Sequence, residues 1–267
     1  MTSAVTAATA TKQLLLRHDS DSITTLTLNR PGQFNALSGA LLNDLQAALD
    51  GIAKDQSVRV VIIAGAGPAF CAGHDLKEMR TNCNPAFIED LFRRCSKVMT
   101  TITQIPQPVI ARVHGIATAA GCQLVATCDL AVASTEARFA TSGINVGLFC
   151  STPGVALSRN VLRKQAMEML LTGDFIDAQT ALTRGLVNRV VAPEQLNTEV
   201  MRLAEVITSK PRSAIALGKQ MIYKQLEMGL EPAYQYASGV MTCNMLDDDA
   251  AEGIDAFMQK RPPKWKS

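Results

Sequence analysis

The feature that most constrains the fold is a short apolar run at residues 58–64 (VRVVIIA), which stops at a turn rich in glycine and proline (GAGP). A run of this length is typical of a parallel strand that is covered on both faces of its sheet. Upstream, Ile23–Leu28 (ITTLTL) alternates apolar and polar residues as a half-buried strand does, and Ser38 can cap a helix whose leucines recur at helical spacing. Strand, helix and buried strand in this order predict an α/β fold.

The same order repeats further along the chain, and the part beyond residue 155 is mostly helical. Further strands are predicted at 109–113, 130–133 and 186–191. Helices are predicted at 86–105, 122–128, 160–172, 177–184, 194–209, 213–228, 231–246 and 249–260. The sequence therefore predicts an α/β body followed by a helical C-terminal region.

Composition excludes several classes of protein. The chain has 267 residues, of which 47% are hydrophobic, so it can bury a substantial core, and its net charge of +2 gives no field that would favour nucleic acid. Its longest purely aliphatic stretch, at residues 60–64, is far shorter than the roughly 18 residues of a membrane span. Seven scattered cysteines without a Cys-x-x-Cys pair predict reduced thiols, no metal site and a cytoplasm-like compartment. Residues 1–12 predict a flexible tail, with a leader for the mitochondrial matrix as the alternative.

Two loops are rich in small residues. One follows the predicted buried strand at 58–64, and the other leads into the predicted buried helix at 122–128. They are FCAGHDL at residues 70–76 and HGIATAAGC at 114–122. Such loops can expose backbone N–H groups, and two of them with convergent donors would form an oxyanion hole. The alternative is that both are plain structural turns.

Four segments carry a resemblance to a known family. FCAGHDLKEM, VHGIATAAGCQLVATCDLAVAS, MEMLLTGDFIDAQTALTRGLVNRVV and EGIDAFMQKRPPKW resemble the crotonase, or enoyl-CoA hydratase/isomerase, family in order and approximate spacing. The resemblance implies a crotonase-like spiral of strand-strand-helix repeats over residues 13–198 and a helical C-terminal trimerisation region over 199–267. It also implies an acyl-CoA thioester as the ligand, no cofactor other than the coenzyme A of the substrate, and a homotrimer or a dimer of trimers.

The same resemblance assigns the catalytic positions. The backbone N–H groups of His74 and Ala120 would form the oxyanion hole, and an alanine at 120 is acceptable if its φ stays negative. Gln123 and Gly143 stand where the family's two acid/base glutamates would be. Because neither exchanges a proton at neutral pH, we expect hydration to be slower by about 10⁴ or more, and restoring both glutamates to raise it.

The resemblance also assigns the contacts with coenzyme A. These would come from Phe34 and Ala36, from Ala72, Asp75 and Leu76, and from Phe257 and Lys260. Arg261 and Lys264 would join Lys260 as cations for a nucleotide phosphate, although a solvated basic C-terminus explains them equally well.

Several side chains have more than one interpretation. His74 could act as a base through its ring, and Asp75 could either take part in catalysis or order its own loop. Asp129 is predicted to be a buried structural carboxylate. Cys150 or Ser151 could touch the acyl group, and Thr152 with Pro153 predicts the start of the next helix. The chain could thus be an acyl-CoA enzyme, a non-catalytic acyl-CoA-binding protein or a structural trimer.

Overall fold

A computed structural model describes residues 13–266, so the predicted tail at 1–12 lies outside the described residues. Two parallel-rich sheets contain the strands, which are numbered in chain order: β1 (Leu15–Ser20), β2 (Ile23–Leu28), β3 (Val60–Gly65), β4 (Ala69–Cys71), β5 (Val109–Val113), β6 (Ile116–Thr118), β7 (Leu130–Ser134), β8 (Arg138–Ala140), β9 (Ile176–Asp177) and β10 (Arg189–Val191). The large sheet has the order β1-β2-β3-β5-β7-β10 and the small sheet the order β4-β6-β8-β9. Successive turns of the chain add one strand to each sheet, which confirms the predicted spiral.

The helices of the described residues connect these strands and then form the C-terminal region. They are α1 (Gly39–Ile52), α2 (Leu76–Thr81), α3 (Pro85–Gln104), α4 (Ala120–Thr127), α5 (Ser151–Leu157), α6 (Arg163–Thr172), α7 (Ala178–Thr183), α8 (Leu196–Thr208), α9 (Arg212–Gln225), α10 (Leu230–Met245) and α11 (Asp248–Met258).

The large sheet is covered on both faces, as the apolar run of β3 predicts. On one face α1 buries Leu41, Leu45 and Leu49, and Ser38 caps it by accepting a hydrogen bond from the N–H of Leu41 (3.2 Å). On the other face the apolar side of α8 packs with residues of β2, β3, β5 and β7. The predicted boundary between the spiral body and the C-terminal region, at residues 198 and 199, falls inside α8. This helix packs against the large sheet and is therefore part of the body.

The last three helices follow this body, and of them α9 packs against α3. Within Leu230–Met245 only Ala233 is buried, and α10 packs against its neighbours α9 and α11. The indole N–H of Trp265 donates to the carbonyl of Ser209 (2.8 Å), which joins the segment after α11 to the C-terminal end of α8.

The structure corrects the sequence predictions mainly at short elements. The predicted turn at 115–120 contains β6, and the strands β1, β4, β8 and β9 and the helix α2 were not predicted. The last predicted strand begins at Arg189 instead of residue 186, and the helix predicted from residue 160 begins at Arg163. Thr152 is not a cap, since α5 already begins at Ser151. Strands of two or three residues are too short to show a period, so only pairing with neighbouring strands identifies them.

Candidate functional site

The two small-residue loops meet at one edge of the small sheet. Because β4, β6 and β8 are parallel, the residues that follow them emerge at the same edge. A Cβ built on Gly73 would lie 2.8 Å from the Cβ of Ala119 and 3.2 Å from the backbone nitrogen of Ala120. The loop after β4 therefore contacts the N-terminus of α4, and the glycine at 73, with φ of +91°, permits this approach.

Each loop presents a backbone donor. Leu37 and His74 form a parallel bridge, in which the N–H of Leu37 donates to the carbonyl of Gly73 (2.7 Å) and the N–H of Asp75 to the carbonyl of Leu37 (3.2 Å). This pattern directs the N–H of His74 away from Leu37. Ala120 is the first residue of α4, and such an N–H has no acceptor within its helix. Within residues 13–266 neither N–H has a hydrogen-bond acceptor, which leaves two donors in neighbouring loops.

Backbone strain precedes the second donor. Ala119 has φ of 50° and ψ of −120°, a region that glycine favours, at a cost of about 1–3 kcal/mol for another residue. Ala120 itself is helical and has a negative φ. An alanine is therefore acceptable at this position, as the sequence analysis required.

The imidazole of His74 lies in an apolar environment. Burial lowers its pKa from 6.5, because desolvation disfavours the charged ring, and the backbone of Leu37 opposes this only in part. Both ring nitrogens are buried without a well-formed hydrogen bond to any described residue, and the ring packs edge-on against Phe92 with centroids 5.3 Å apart. No described contact joins the ring to Cys150. The His74 side chain is therefore a neutral packing group in this structure.

Asp75 orders its own loop, as one interpretation of the sequence predicts. It is the N-cap of α2 and accepts a hydrogen bond from the N–H of Glu78 (3.1 Å), while Arg30 pairs with its other oxygen (2.8 Å). Burial alone would raise the pKa of Asp75, but these hydrogen bonds and the charge of Arg30 lower it overall. Arg30 also donates to the carbonyl of Ala36 and so fixes residues 30–37 against the His74 loop. Sequence reasoning missed Arg30 and Gly73, for which the only signals are an arginine in a turn and a glycine in a loop.

The two positions of the family's glutamates differ in their surroundings. Gln123 lies in the first turn of α4 and is 4% exposed. A Cβ built on Gly143 would lie 2.5 Å from the carbonyl oxygen of Leu148 and 2.8 Å from Sγ of Cys150. A side chain at Gly143 therefore requires the 148–150 segment to move, and the gain in hydration expected from restoring both glutamates stays a prediction that depends on this movement.

The candidates in the 150–152 segment are not activated nucleophiles. Burial raises the pKa of the Cys150 thiol, with the N–H of Gly143 opposing the shift, so the thiol stays protonated. Ser151 is exposed, and its hydroxyl donates to the carbonyl of Phe149 (3.4 Å). Neither has a base as a described partner.

The residues predicted to bind coenzyme A form two groups. In the first group, the N–H of Ala72 donates to the carbonyl of Phe34 (2.9 Å), and Ala36 is buried nearby. Phe34 and Leu76 lie beside the His74 loop and expose 53% and 52% of their surface. The structure thus brings these four residues and Asp75 together.

The second group lies at the end of α11. Phe257 is 84% exposed, and the side chain of Lys260 has no ion-pair partner among the described residues. Arg261 instead donates two hydrogen bonds to Glu252 (2.6 and 2.8 Å), and this pairing lowers the pKa of Glu252 to about 2. Arg261 is therefore not a free cation for a phosphate, which corrects that expectation. No described contact joins this group to the first.

Asp129 is a structural carboxylate, as predicted. It accepts hydrogen bonds from Lys219 (2.7 Å), the N–H of Val109 (2.7 Å) and the hydroxyl of Tyr223 (2.9 Å). Burial lowers the pKa of Lys219, and the charge of Asp129 partly offsets this shift. Lys219 also donates to the carbonyls of Ile102 and Gln107 (2.8 Å each), so this cluster fastens α9 to the body.

Residues 13–266 contain no group of three or more His, Cys, Asp or Glu side chains placed to hold a metal ion. None of their helices combines the length and the hydropathy needed to cross a bilayer.

Comparisons with known proteins give a consistent picture. A family model described as enoyl-CoA hydratase/isomerase matches residues 18–267. The mouse protein named "Enoyl-CoA hydratase domain-containing protein 3, mitochondrial" is 50% identical over 92% of this chain and 82% of its own length. Among solved structures, an enoyl-CoA hydratase from Mycobacterium smegmatis is 58% identical, covers 96% of this chain and 100% of its own, and has a TM-score of 0.94. The human enoyl-CoA hydratase domain-containing protein 3 is 48% identical, with coverages of 95% and 100% and a TM-score of 0.92.

Proposed function

This chain belongs to the enoyl-CoA hydratase/isomerase family, in the branch of the domain-containing protein 3, and we propose that it polarises the carbonyl of a bound acyl-CoA thioester. The carbonyl oxygen would accept hydrogen bonds from the backbone N–H groups of His74 and Ala120. The observation that supports this most is that neither N–H group has an acceptor in the described part of the chain, while Gly73 brings their loops into contact. Each such donor contributes about 2.7–4 kcal/mol to the stability of an enolate-like charge.

The reaction itself would differ from efficient hydration. Hydration needs two positioned acid/base groups, and here one position carries the amide of Gln123 while the other, Gly143, is closed by backbone. Isomerisation, thioester hydrolysis and decarboxylation use the same carbonyl polarisation with different proton transfers. A second candidate is acyl-CoA binding without turnover, which the missing carboxylates favour. Incubation with enoyl-, hydroxyacyl- and malonyl-type thioesters, followed by mass spectrometry, separates the two, because only an enzyme forms a product.

The test of the proposed site is Gly73→Ala. The added methyl would push against Ala119 and the nitrogen of Ala120, so we expect butyryl-CoA to bind at least tenfold more weakly in calorimetry. Gly51→Ala is the matched control, since a Cβ at Gly51 meets nothing within 4 Å. Unchanged affinity in a folded Gly73→Ala protein would contradict the proposal.

The remaining contacts and the assembly are part of the same proposal. Phe34, Ala36, Ala72 and Leu76 would hold the coenzyme A of the substrate, with Phe257 and Lys260 at a subunit boundary. The apolar residues exposed on α9–α11 favour a homotrimer or a dimer of trimers.

The compartment stays a prediction. The mouse and human relatives are named as mitochondrial proteins, which supports the mitochondrial alternative and not the cytoplasm-like compartment that the cysteines predict.

A further inference from the structure

A fully buried asparagine has an unusual backbone conformation beside the His74 loop. Phe34 and Asn35 have φ of 50° and 55°, a left-handed region in which residues other than glycine are uncommon, and Asn35 is 0% exposed. The other described pair of this kind, Asp21 and Ser22, is exposed and forms the two-residue turn between β1 and β2, where positive φ is usual. The pair at Phe34 and Asn35 lies between β2 and α1, where no hairpin requires it, so other contacts must hold it.

The carboxamide of Asn35 supplies these contacts. Its oxygen accepts a hydrogen bond from the N–H of Arg30 (2.8 Å), and its Nδ2 donates to the carbonyls of Ala66 and Ala69 (2.8 Å each). Both N–H donors of the carboxamide are therefore used. They join the segment at 34–37 to the turn between β3 and β4 and to the start of β4.

The segment at 34–37 in turn holds the peptide unit that carries the first proposed donor. The N–H of Leu37 donates to the carbonyl of Gly73 (2.7 Å), and this carbonyl shares its peptide unit with the N–H of His74. Because a trans peptide is planar, the N–H points in the direction opposite to the carbonyl. The hydrogen bond from Leu37 therefore sets the direction of the His74 donor.

The left-handed pair directs a second hydrogen bond between the same two segments. The carbonyl of Phe34, which accepts from the N–H of Ala72 (2.9 Å), belongs to the peptide unit between Phe34 and Asn35. Its direction depends on ψ of Phe34, which is 35°, and on φ of Asn35. If Asn35 left the left-handed region, this carbonyl would turn away from Ala72.

We propose that Asn35 is a positioning residue for the oxyanion hole: its carboxamide holds the segment at 34–37 so that the N–H of His74 points at the thioester carbonyl. This rests on the proposed function, which supplies that carbonyl. The second donor does not depend on Asn35, because Ala120 belongs to α4. Loss of the carboxamide should therefore weaken one of the two hydrogen bonds to the ligand and leave the other.

The test uses butyryl-CoA labelled with carbon-13 at the thioester carbonyl and isotope-edited infrared spectroscopy at saturating ligand. In the unmodified protein the C=O stretch of the bound ligand should lie below its frequency in water. In Asn35→Ala and in Asn35→Gly we expect roughly half of this shift to be lost, because one of two donors is misdirected. Asn35→Gly removes the carboxamide without adding backbone strain, since glycine adopts φ of 55° freely.

Gln107→Ala is the matched control for a structural effect alone. Gln107 is 3% exposed, and its Nε2 donates to the carbonyls of Ile52 (2.7 Å) and Asp55 (3.3 Å). Ile52 ends α1, about 20 Å along the helix from Gly39 at its start. Urea unfolding should show that the control and the Asn35 variants are all destabilised, whereas Gln107→Ala should keep the full shift.

The outcomes separate this proposal from the proposed function. A full shift in folded Asn35→Ala or Asn35→Gly overturns only the role of Asn35. An equal loss of shift in Gln107→Ala also overturns it, because any missing buried carboxamide would then have the same effect. If the unmodified protein shows no shift relative to water, the proposed function fails, and this proposal with it.

Discussion

His74 contributes two separable groups, a backbone N–H and an imidazole. The N–H has no acceptor among the described residues, and its loop contacts Ala120 through Gly73, whereas the ring is buried against Phe92. Side-chain chemistry at this position is therefore secondary to the backbone, and a substitution that keeps the N–H should keep the site.

We predict that His74→Leu retains butyryl-CoA affinity within about threefold and flattens the dependence of stability on pH. The folded protein holds the pKa of His74 below the unfolded value of 6.5, so the unfolded chain binds the proton first as the pH falls. The neutral ring's contribution to stability is present above pH 6.5 and is lost as the pH falls from there toward the lower pKa of the folded protein. Denaturant unfolding between pH 7.5 and 5 measures this.

His18→Leu, at an exposed position of β1, is the control for that experiment. An unchanged pH dependence in His74→Leu, or loss of binding in a folded variant, would show that the ring has another role.

Among the elements, α9 is fastened to the body by a largely buried ion pair. The side chains of Lys219 and Asp129 are 6% and 15% exposed, and Lys219 also satisfies two backbone carbonyls. No buried residue of α9 provides an apolar anchor that could replace this pair.

We expect Lys219→Met to lower the free energy of unfolding by about 3–5 kcal/mol, because it leaves the buried carboxylate of Asp129 without its cation. Adding Asp129→Asn should recover part of the loss. Urea unfolding measures both, with the exposed Lys164→Met as the control. A loss no larger than that of the control would mean that α9 is held by other contacts.

For the whole molecule, the exposed C-terminal helices predict association. The apolar residues that are most exposed there include Leu226, Leu230, Met241, Leu246 and Phe257. Apolar surface of this extent is typical of a contact with another protein. We predict a sedimentation mass of three or six 28.6 kDa chains, and a smaller species for Met241→Lys. A stable monomer at micromolar concentration would contradict the trimer.

Much of the large sheet could be predicted from the sequence, because β3 and α1 carry apolar patterns long enough to show their period. The small sheet could not, since strands such as β4 and β6 have three residues each and depend on pairing with distant segments. The small residues of the two loops indicated that backbone donors could be exposed there, with plain structural turns as the alternative. The choice of His74 and Ala120 came only from the family resemblance, because backbone N–H groups leave no side-chain signature. The closure of Gly143 by Leu148 depends on how the turn between these two residues folds back on itself, which the residue types in it do not specify.

Isotope-edited infrared spectroscopy measures directly whether the protein polarises the thioester C=O bond. With butyryl-CoA labelled with carbon-13 at the thioester carbonyl, two N–H donors should shift the C=O stretch of the bound ligand below its frequency in water. Gly73→Ala, at ligand concentrations that saturate it, should lose most of this shift. A bound ligand whose carbonyl frequency equals or exceeds that in water would contradict the account.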